Sequence, residues 1–499
     1  YERLSSDRSQ FLNTARQAAD LTLPYLIRGE ETSYKGARNL ITPWQSVGAK
    51  GVVTLASKLM LALLPPQTSF FKLQVNDINI PGELGPDIRS ELDLSFAKVE
   101  RTIMESIAAS TDRVIVHQAL KHLVVAGNAL IYMGKDGLKL YPLNRYVVDR
   151  DGSGNVIEIV TKETISKKLL KKFYPDYKKE DNLKNNSYTN SANQDDLTDY
   201  PTDECDVYTH VILDNNRWVW HQEVYNEILP KSMGKAPVDS NPWLALRFNH
   251  VDGEAYGRGR VEEFMGDLKS LEALSQALVE GSAAAAKVVF TVSPSSTTKP
   301  QTLAQAGNGA IIQGRPDDIG VVQVGKTADF QTAYQMVGGL SQRISDAFLI
   351  LNVRNSERTT AEEVRMTQLE LEQQLGGLFS LLTVEFLVPY LNRKLSVAQK
   401  TGEIPRLPKG DIVKPTIVAG INALGRGQDR ESLAQFLTVI AQTMGPQAIQ
   451  EYINPEEVVK RLAASSGIDT LNLVKSMQEI QQEQQAAAQQ QQQMMYQQE

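Results

Sequence analysis

The sequence predicts an α+β fold that is mainly helical. Apolar residues recur at steps of three and four over long stretches in both halves of the chain, which is the spacing of amphipathic helices. Between residues 139 and 224 this spacing changes to short β-rich runs separated by turns. The chain has 499 residues, of which 41% are hydrophobic, so it is long enough for roughly two to four domains with ordinary cores.

The first third of the chain begins with helices. Helical spacing predicts helices over residues 2–23, 44–64 and 90–107. Residues 114–132 begin as a helix and end as a short apolar strand after Gly127.

The β-rich region follows. Residues 147–160 contain two apolar runs around a Gly-rich turn, which predicts a hairpin. Residues 166–205 are Lys-rich and then Asn- and Asp-rich, so we expect a surface insertion or a partly disordered loop there. Strand patterns return at residues 207–213 and 217–224.

Two long helices dominate the second half. Residues 260–290 carry one apolar stripe and predict a single helix roughly 45 Å long. Residues 291–326, rich in Ser, Thr, Pro, Gly and β-branched side chains, predict a small β-containing module. A second long helix is predicted over residues 328–351, followed by a polar loop at 352–358. The two helices therefore flank a compact insertion.

The C-terminal part begins with a capping-box signature that starts a helix at Thr360. We expect this helix to kink at the glycine pair 376–377 and to end at Pro389. A Pro-rich linker, residues 404–415, leads to a last helical domain. From Gln478 onward the sequence is Gln-rich and of low complexity, typical of a helical or disordered tail.

Charge and composition restrict the possible functions. The net charge of −7 argues against tight non-specific binding of nucleic acid, which needs many Lys and Arg side chains. Cys205 is the one cysteine, which excludes an intrachain disulfide and fits a reducing compartment. A membrane-spanning helix needs about 20 apolar residues, and we expect neither such a helix nor a secretory signal.

The search for an enzyme site is negative. The sequence contains no Gly-rich phosphate loop, nucleophile elbow or zinc-type His-Glu motif. The run Gly257 to Arg260 lacks the third glycine of a dinucleotide loop, which favours a tight turn into a helix. His117 and His122 are five residues apart, so ordinary structural histidines are favoured over metal ligands. We therefore expect no catalytic residue, no cofactor and no metal.

One short segment imitates a calcium loop. Asp149, Asp151 and Ser153 have the spacing of its first ligands, but Val160 stands where the loop needs Glu. A hairpin turn is the favoured interpretation.

Two clusters of basic residues are more ambiguous. Six lysines lie between Lys167 and Lys179, and a similar number of acidic residues follows, which favours a solvated loop over a nucleic-acid patch. Arg354, Arg358 and Arg365 lie in or just beyond the polar loop between two helices. Loops on a rigid scaffold often carry function, although an exposed helix connection is the plainer interpretation.

Eight strings along the chain resemble the portal (head–tail connector) proteins of short-tailed podovirus bacteriophages, the autographivirus type in particular. They occur in family order and span most of the sequence: TPWQSVGAKG (42–51), LASKLMLALLPPQT (55–68), ALKHLVVAGNALIY (119–132), DGEAYGRGRVEEFMGDLKSLEAL (252–274), GRPDDI (314–319), TTAEEVR (359–365), LGGLFSLL (375–382) and GINALGRGQD (420–429). The Lys- and Asn-rich insertion and the Gln-rich tail depart from the family pattern.

The resemblance implies the portal fold, in which copies of the chain form a dodecameric ring with wing, stem, clip and crown parts. The corresponding ranges are 1–257 for the wing with its polar insertion 166–205, 258–290 and 328–351 for the stem helices, 291–327 for the clip, 352–359 for the channel loop, 360–410 for the kinked helix and linker of the wing, 411–470 for the crown, and 471–499 for a Gln-rich helical or barrel segment. A lone helix pair cannot bury its apolar stripes, whereas head-to-tail packing around a closed axis can.

The resemblance also implies the location and partners. The ring lies at one capsid vertex, at the head–tail junction of the virion, after assembly in the host cytoplasm. Double-stranded DNA passes through its channel during packaging and ejection. The terminase ATPase and later a tail adaptor protein dock on it, and major capsid, scaffolding and internal core proteins contact it. No membrane partner is implied.

Two sets of candidate site residues follow from this resemblance. Arg354, Asn355 and Arg358 are candidates for touching DNA at the channel loop.

Arg315, Asp317 and Asp318 are candidates for docking partners at the clip. The alternative for these three is that they only stabilise a turn.

Two functions from other classes stay open at the level of sequence. One is a structural ring or adaptor protein of the tail, which would rarely need both a long stem pair and a crown. The other is an enzyme, which would require a converging set of acid, base or nucleophile that the sequence does not display.

Overall fold

The structure is a computed structural model of the chain. It describes residues 1–27, 40–64, 70–75, 86–135, 137–175, 177, 204–286, 289–295, 299–307, 311, 313, 315, 317, 319–322, 327–350, 377, 381–405, 413–417, 435–443 and 458.

Ten α-helices with assigned bounds lie in the described ranges. They are α1 (Glu2–Asp20), α2 (Val47–Leu63), α3 (Pro86–Ala109), α4 (Asp112–Ala126), α5 (Lys167–Phe173), α6 (Arg260–Glu263), α7 (Met265–Ala286), α8 (Pro300–Gln305), α9 (Thr327–Ala347) and α10 (Val388–Thr401).

Thirteen strands accompany them in the same ranges. They are β1 (Phe71–Val75), β2 (Asn128–Gly134), β3 (Gly137–Tyr141), β4 (Tyr146–Arg150), β5 (Val156–Ser166), β6 (Glu204–Asp214), β7 (Arg217–Val224), β8 (Glu227–Ile228), β9 (Gly234–Pro237), β10 (Trp243–Arg247), β11 (Val289–Val292), β12 (Ile319–Val322) and β13 (Val413–Ile417). The prediction of an α+β fold is confirmed.

The main core lies between helices and a small sheet. Helix α4 ends at Gly127, whose φ of 71° is left-handed, and β2 begins at the next residue, as predicted. β2 is the middle strand of an antiparallel sheet with the order β10-β2-β3. One hydrophobic cluster joins this sheet to α1, α2 and α4 and to one end each of α7 and α9. The N-terminal part and the two long helices therefore share a core.

A larger antiparallel sheet is formed by strands β4 to β9. Its order is β4-β5-β6-β7-β8, with β9 also paired to β7. The predicted hairpin over residues 147–160 is confirmed as β4 and β5. The Asp151 carboxylate accepts N–H bonds from Ser153 (2.9 Å) and Asn155 (2.7 Å), so it stabilises the turn.

The prediction of a polar surface insertion over residues 166–205 is wrong at both ends. Residues 167–173 form α5, and Leu170 buries its side chain beside Cys205 in a second, small hydrophobic cluster. β6 begins at Glu204. Buried and half-buried residues alternate along β6, which explains the burial of Cys205. Residues 178–203 lie outside the described ranges.

The prediction of one helix over residues 260–290 is also wrong in detail. The helix is interrupted at Phe264, which has φ −110° and ψ 15°, and Val289 already starts a strand. The Phe264 ring lies between the guanidinium of Arg260, 4.9 Å away, and the ring of Phe348, 6.1 Å away. This packing explains the interruption, because an unbroken helix would direct the ring elsewhere.

The second long helix ends at Ala347 rather than at residue 351. Leu349 has a left-handed φ of 56°, which an α-helix of L-residues cannot continue through.

The helix predicted to end at Pro389 continues to Thr401. A π-helical turn, Thr383–Leu387, immediately precedes α10, and Val388 N–H bonds to the carbonyl of Thr383. Because proline lacks an N–H and crowds the carbonyl four residues earlier, the wider turn lets the helix pass Pro389. The predicted start at Thr360 and Gly376 of the predicted kink lie outside the described residues.

The last part of the predicted linker over residues 404–415 is a strand. β13 pairs antiparallel with β1, so that Pro415 lies opposite Leu73. The two strands form a sheet of their own, which gives the proline an edge position.

Candidate functional site

The helix pair α7 and α9 carries the predicted clip at its far end. The two helices are antiparallel, since Phe264 contacts Phe348 at one end and Gly281 lies against Phe330 near the other. A Cβ on Gly281 would lie 2.6 Å from Phe330 Cε1, so any larger residue there would have to displace the Phe330 ring. Beyond this point β11 and β12 pair antiparallel. The β module predicted between two long helices is therefore present.

Two of the three predicted docking residues can be located. Arg315 and Asp317 are exposed and lie between α8 and the first residue of β12. Asp318 lies outside the described residues. This end of the helix pair, which we call the tip, therefore presents the cation of Arg315 and the anion of Asp317 to solvent, two residues apart.

The predicted channel residues Arg354, Asn355 and Arg358 lie outside the described residues, and so does Arg365. The described chain stops at Ile350, just before the predicted channel loop (residues 352–359). The role of these residues therefore stays a prediction.

The outward faces of the helix pair expose apolar side chains. Leu271 and Ile344 are at most 1% exposed, because they lie in the core that the two helices share. In contrast, Tyr334 is 72% exposed, Met336 54% and Val279 53%. Both helices of the pair therefore carry large apolar side chains that this chain alone leaves exposed.

Two glycines of α2 bring the near end of the helix pair against the N-terminal helices. A Cβ on Gly51 would lie 2.8 Å from Phe348 Cγ, and a Cβ on Gly48 would lie 3.1 Å from Leu268 Cδ2. The Glu272 carboxylate of α7 accepts the N–H groups of Trp44 (2.9 Å) and of the next residue (3.3 Å). Through these contacts, the string TPWQSVGAKG holds α7 against the N-terminal helices.

A second close contact between elements lies in the string around residue 257. Gly127, Gly257 and Gly259 lie so close together that a Cβ on any of them would lie 2.5 to 2.8 Å from backbone atoms. The Asn128 amide accepts the N–H of Gly257 and donates to the carbonyl of the same residue, both at 2.7 Å. The chain therefore enters α6 through a turn held by backbone contact, and the predicted tight turn into a helix is confirmed.

The two arginines of this string make local ion pairs. Arg258 donates to Glu254 (2.5 and 2.8 Å) and to Glu262 (2.6 Å). The hydrogen bond to Glu254 raises the pKa of the Arg258 guanidinium. Arg260 pairs with Glu263 (2.6 Å) and also donates to the carbonyl of Ala347 (3.2 and 3.4 Å). Both arginines therefore stabilise the turn that leads into α6.

A buried ionic cluster joins the π-turn to two strands. Arg247 donates its Nε (2.9 Å) and Nη2 (2.6 Å) to one oxygen of Glu385, and its backbone N–H to the other (2.8 Å). Arg150 lies 4.0 Å from the same carboxylate and donates to the carbonyls of Gly154, Ala245 and Ala255. Burial, followed by the nearby Arg247, lowers the pKa of Arg150 to about 10. Glu385 is therefore the counter-ion of two enclosed cations.

The other residues considered in the sequence have structural surroundings. His122 is buried in α4, and burial lowers its pKa to about 4. His117 Nε2 lies 3.2 Å from Ser57 Oγ. Four of the six lysines, Lys167, Lys168, Lys171 and Lys172, lie on α5, a helix and not the predicted loop.

The part of the chain that the structure describes contains no group of three or more His, Cys, Asp and Glu side chains placed to hold a metal ion. Within the same ranges, every helix is too short or too polar to cross a bilayer.

Sequence reasoning did not find the cluster around Glu385 or the contact of Lys58 with the carbonyl of Leu349. Their partners are 138 and 291 residues apart. Neither pattern nor spacing in a single sequence signals such pairs. A charged residue within an otherwise apolar helix, as Glu385 is, is the one signal available.

Comparison with known proteins adds the family context. Residues 1–474 match the family described as bacteriophage head to tail connecting protein. The portal protein of Escherichia phage T7 is 38% identical over 493 residues, which cover 97% of this chain and 88% of the relative. The portal protein of Enterobacteria phage T3 is 38% identical over 492 residues, with 96% and 88% covered. The portal protein of Enterobacteria phage SP6 is 31% identical over 450 residues, with 87% and 81% covered.

Proposed function

Because this chain belongs to the family of bacteriophage head-to-tail connecting proteins, we propose that twelve copies form a ring at one capsid vertex, with an axial channel for double-stranded DNA. DNA enters through this channel during packaging and leaves through it during ejection.

Membership of the family makes the protein a structural component of the virion at the head–tail junction, and not an enzyme. The resemblance to portal proteins of the autographivirus type is confirmed. The alternative of a tail adaptor is disfavoured, because the relatives that match over most of this chain are portal proteins.

The observation that best supports the ring is the exposure of Tyr334, Met336 and Val279 on the two packed helices of the α7–α9 pair. Contact with another copy of the chain would remove these apolar side chains from water. In a head-to-tail ring, one side of the helix pair is covered by the preceding copy, and its other side covers the next copy. In this proposal α7 and α9 are the stem, residues 291–327 are the clip, and the wing comprises residues 1–257 and 360–410.

Electron microscopy of the purified full-length protein tests the ring. We expect particles with twelvefold symmetry and a central hole wide enough for a DNA duplex. A compact monomer at the concentrations where phage heads assemble would contradict the proposal.

For the channel, we propose that DNA slides with little grip. A net charge of −7 per chain disfavours a continuous lining of phosphate contacts, each of which would add to a salt-dependent attraction. Arg354, Asn355 and Arg358 are our candidates for the few direct contacts.

Changing both Arg354 and Arg358 to Ala tests these contacts. We expect heads that package DNA but lose it more readily, measured as the fraction of DNA-filled particles after storage. Replacing Arg101, an exposed arginine of α3 that pairs with Glu105, is a suitable control. Normal retention in the double variant would contradict the role.

At the clip, we propose that Arg315, Asp317 and Asp318 contact the terminase ATPase and later the tail adaptor. The exposure of Arg315 and Asp317 at the tip supports this role. Reversing the charges (Arg315→Glu with Asp317→Lys) is expected to weaken adaptor binding to purified rings, measured by co-sedimentation. Lys168→Glu, at an exposed site of α5 outside the clip, is the control for a charge reversal. Intact docking would leave these residues with the turn-stabilising role only.

The remaining proposed partners contact other parts of the ring. Major capsid, scaffolding and internal core proteins are assigned to the wing and crown, and the completed particle is assembled in the host cytoplasm.

A further inference from the structure

Helices α2 and α4 pack side by side and run in opposite directions. Near the middle of the pair, Ser57 Oγ lies 3.2 Å from His117 Nε2. At one end, Arg113 in the first turn of α4 donates to the carbonyl of Leu64, the residue that follows α2 (3.0 Å). The start of α4 therefore lies beside the end of α2, and the end of α4 lies towards the start of α2.

One end of this helix pair exposes two large apolar side chains. Leu61 lies one turn after Ser57 on α2, and Val114 lies about one turn before His117 on α4. Because the helices are antiparallel, both side chains lie at the same end of the pair. Leu61 is 58% exposed and Val114 is 59% exposed. In the single chain, these two side chains therefore remain in contact with water.

The other end of the pair carries cations. Lys121 is half-buried and lies one turn after His117, and Val53 is 38% exposed and lies one turn before Ser57. Lys50 is exposed and lies about one further turn towards the start of α2. These residues of α2 recur at steps of three and four, so they lie on one side of the helix. We call this surface the α2–α4 face, and it consists of Lys50, Val53, Leu61, Val114 and Lys121.

The main core does not use this face. The opposite sides of the two helices fill the core, where Leu59 and Leu123 have no exposed area. Val53, Leu61 and Val114 are not among the residues that form the core or pack against it. Folding of the chain therefore explains the inner sides of α2 and α4 and leaves the α2–α4 face without a role.

The two helices carry an excess of positive charge in an acidic chain. α2 contains two lysines and no acidic residue, and α4 contains Arg113, Lys121 and Asp112. The Asp112 carboxylate is buried, where Tyr390 donates to it (2.7 Å) and Lys394 pairs with it (2.7 Å). Four cations against one anion give the two helices a net charge of +3, whereas the whole chain carries −7. The rest of the chain therefore carries −10.

We propose that the α2–α4 face is covered by the neighbouring copy of this chain in the ring, as a second subunit contact beside that of the stem. An acidic surface of the neighbour lies over Lys50 and Lys121, and apolar side chains of the neighbour lie over Leu61 and Val114. Charge complementarity supports a second copy as the occupant, because the rest of the chain is acidic and a ring places a copy at every interface.

The contact also removes the exposed ends of Leu61 and Val114 from water, which favours association. This inference rests on the proposed function, which places copies of the chain side by side in a ring.

Cysteine accessibility in purified rings of the full-length protein tests this contact. The native Cys205 is buried, so an added surface cysteine is the thiol that a maleimide reaches. Val114→Cys is compared with Phe173→Cys on α5, because the two sites are similarly exposed in the single chain (59% and 65%). We expect the maleimide to react at least about tenfold more slowly with Val114→Cys rings, since the neighbouring copy covers the thiol. Equal rates in the two kinds of ring would overturn the inference.

Charge reversal at Lys121 provides a second measurement. We expect Lys121→Glu to raise the protein concentration at which half of the chains are in rings by at least about tenfold, because a carboxylate then faces the acidic neighbour. Lys121→Arg keeps the cation and should assemble like the parent. Lys168→Glu, at an exposed site of α5, controls for added negative charge, and circular dichroism checks that each variant is folded. Assembly of Lys121→Glu at the parent's concentration would contradict the contact.

The outcomes separate this inference from the proposed function. Fast reaction of Val114→Cys in complete rings leaves the ring intact and overturns the second contact. Fast reaction in purified rings but slow reaction in assembled heads would assign the face to another protein of the head, and would also overturn the inference. A parent chain that stays monomeric contradicts the proposed function and the inference together. If Val114→Cys does not assemble, the Lys121 variants decide the question alone.

Discussion

The side chain of His122, on α4, is buried. Its burial makes the stability of the protein depend on pH. Burial lowers the pKa of His122 to about 4, whereas an exposed histidine titrates near about 6.5. As the pH falls from about 6.5 to 4, the unfolded chain takes up a proton at this residue and the folded chain does not. Folding is therefore disfavoured progressively over this range, by up to about 3 kcal/mol at its lower end.

This gives a prediction for His122→Leu. The parent protein should lose about 2 kcal/mol more of its free energy of unfolding than the variant between about pH 7.5 and about pH 5, because leucine cannot take up the proton. Urea unfolding followed by tryptophan fluorescence measures the difference. His250→Gln, at an exposed histidine, controls for the removal of an imidazole. Equal pH dependence in parent and His122→Leu would show that His122 does not carry this effect.

For single residues, the sequence predicted which side chains are exposed, but it did not predict which distant residues they contact. Arg315 and Asp317 are at the surface of the tip, where a polar turn was expected. Lys58 and Glu385 were not singled out, because their significance arises from partners 291 and 138 residues away. Charge alone does not distinguish a buried counter-ion from a solvated one.

Among the elements, several glycines of the strings that mark the family are sites of close contact between elements, namely Gly48, Gly51, Gly127, Gly257 and Gly259. Gly51 is the clearest case, since its α-carbon faces the ring of Phe348 at the end of α9. A methyl group there would lie 2.8 Å from Phe348 Cγ and 2.9 Å from Phe348 Cβ. Because Phe348 is fully buried, its side chain has no free space to move into.

We therefore predict that Gly51→Ala destabilises the protein by about 1–3 kcal/mol through overpacking. Gly266→Ala is the matched control, because a Cβ at Gly266 of α7 meets nothing within 4 Å. That control should stabilise its helix by up to about 1 kcal/mol. Thermal unfolding of the two variants in parallel provides the measurement. The prediction fails if Gly51→Ala is as stable as Gly266→Ala.

The elements that could be predicted are those whose evidence lies within a short window of sequence. Amphipathic spacing located the helices and alternation located the hairpin of β4 and β5. The break at Phe264, the passage of the helix through Pro389 and the strand β13 were not predicted. Each depends on a distant partner: Phe348 for the break, Arg247 for the π-turn, and β1 for β13.

For the molecule as a whole, net charge and apolar surface point to different partners. The charge of −7 disfavours tight attachment to phosphates, whereas the outward faces of α7 and α9 favour contact with another apolar surface. The proposed ring would reconcile the two, because its copies would hold each other and enclose DNA without binding it tightly along its length.

This argument predicts the effect of a charge on the stem face. Tyr334 is 72% exposed on α9, so Tyr334→Asp leaves the isolated chain folded. In a ring the same aspartate would be enclosed between neighbouring stems without a counter-ion. Such an unpaired charge at an interface costs several kcal/mol, and a closed ring contains it once in every interface. We therefore expect mass photometry of the variant to show monomers and small oligomers where the parent gives a single ring species.

The control for this prediction is Phe173→Asp on α5, at a site that is 65% exposed and distant in sequence from the helix pair. It also replaces an exposed aromatic ring by a carboxylate and should leave ring assembly intact, while circular dichroism checks that both variants are folded. Complete rings from Tyr334→Asp would place the subunit contacts elsewhere, and the exposed face of the helix pair would then need a different occupant.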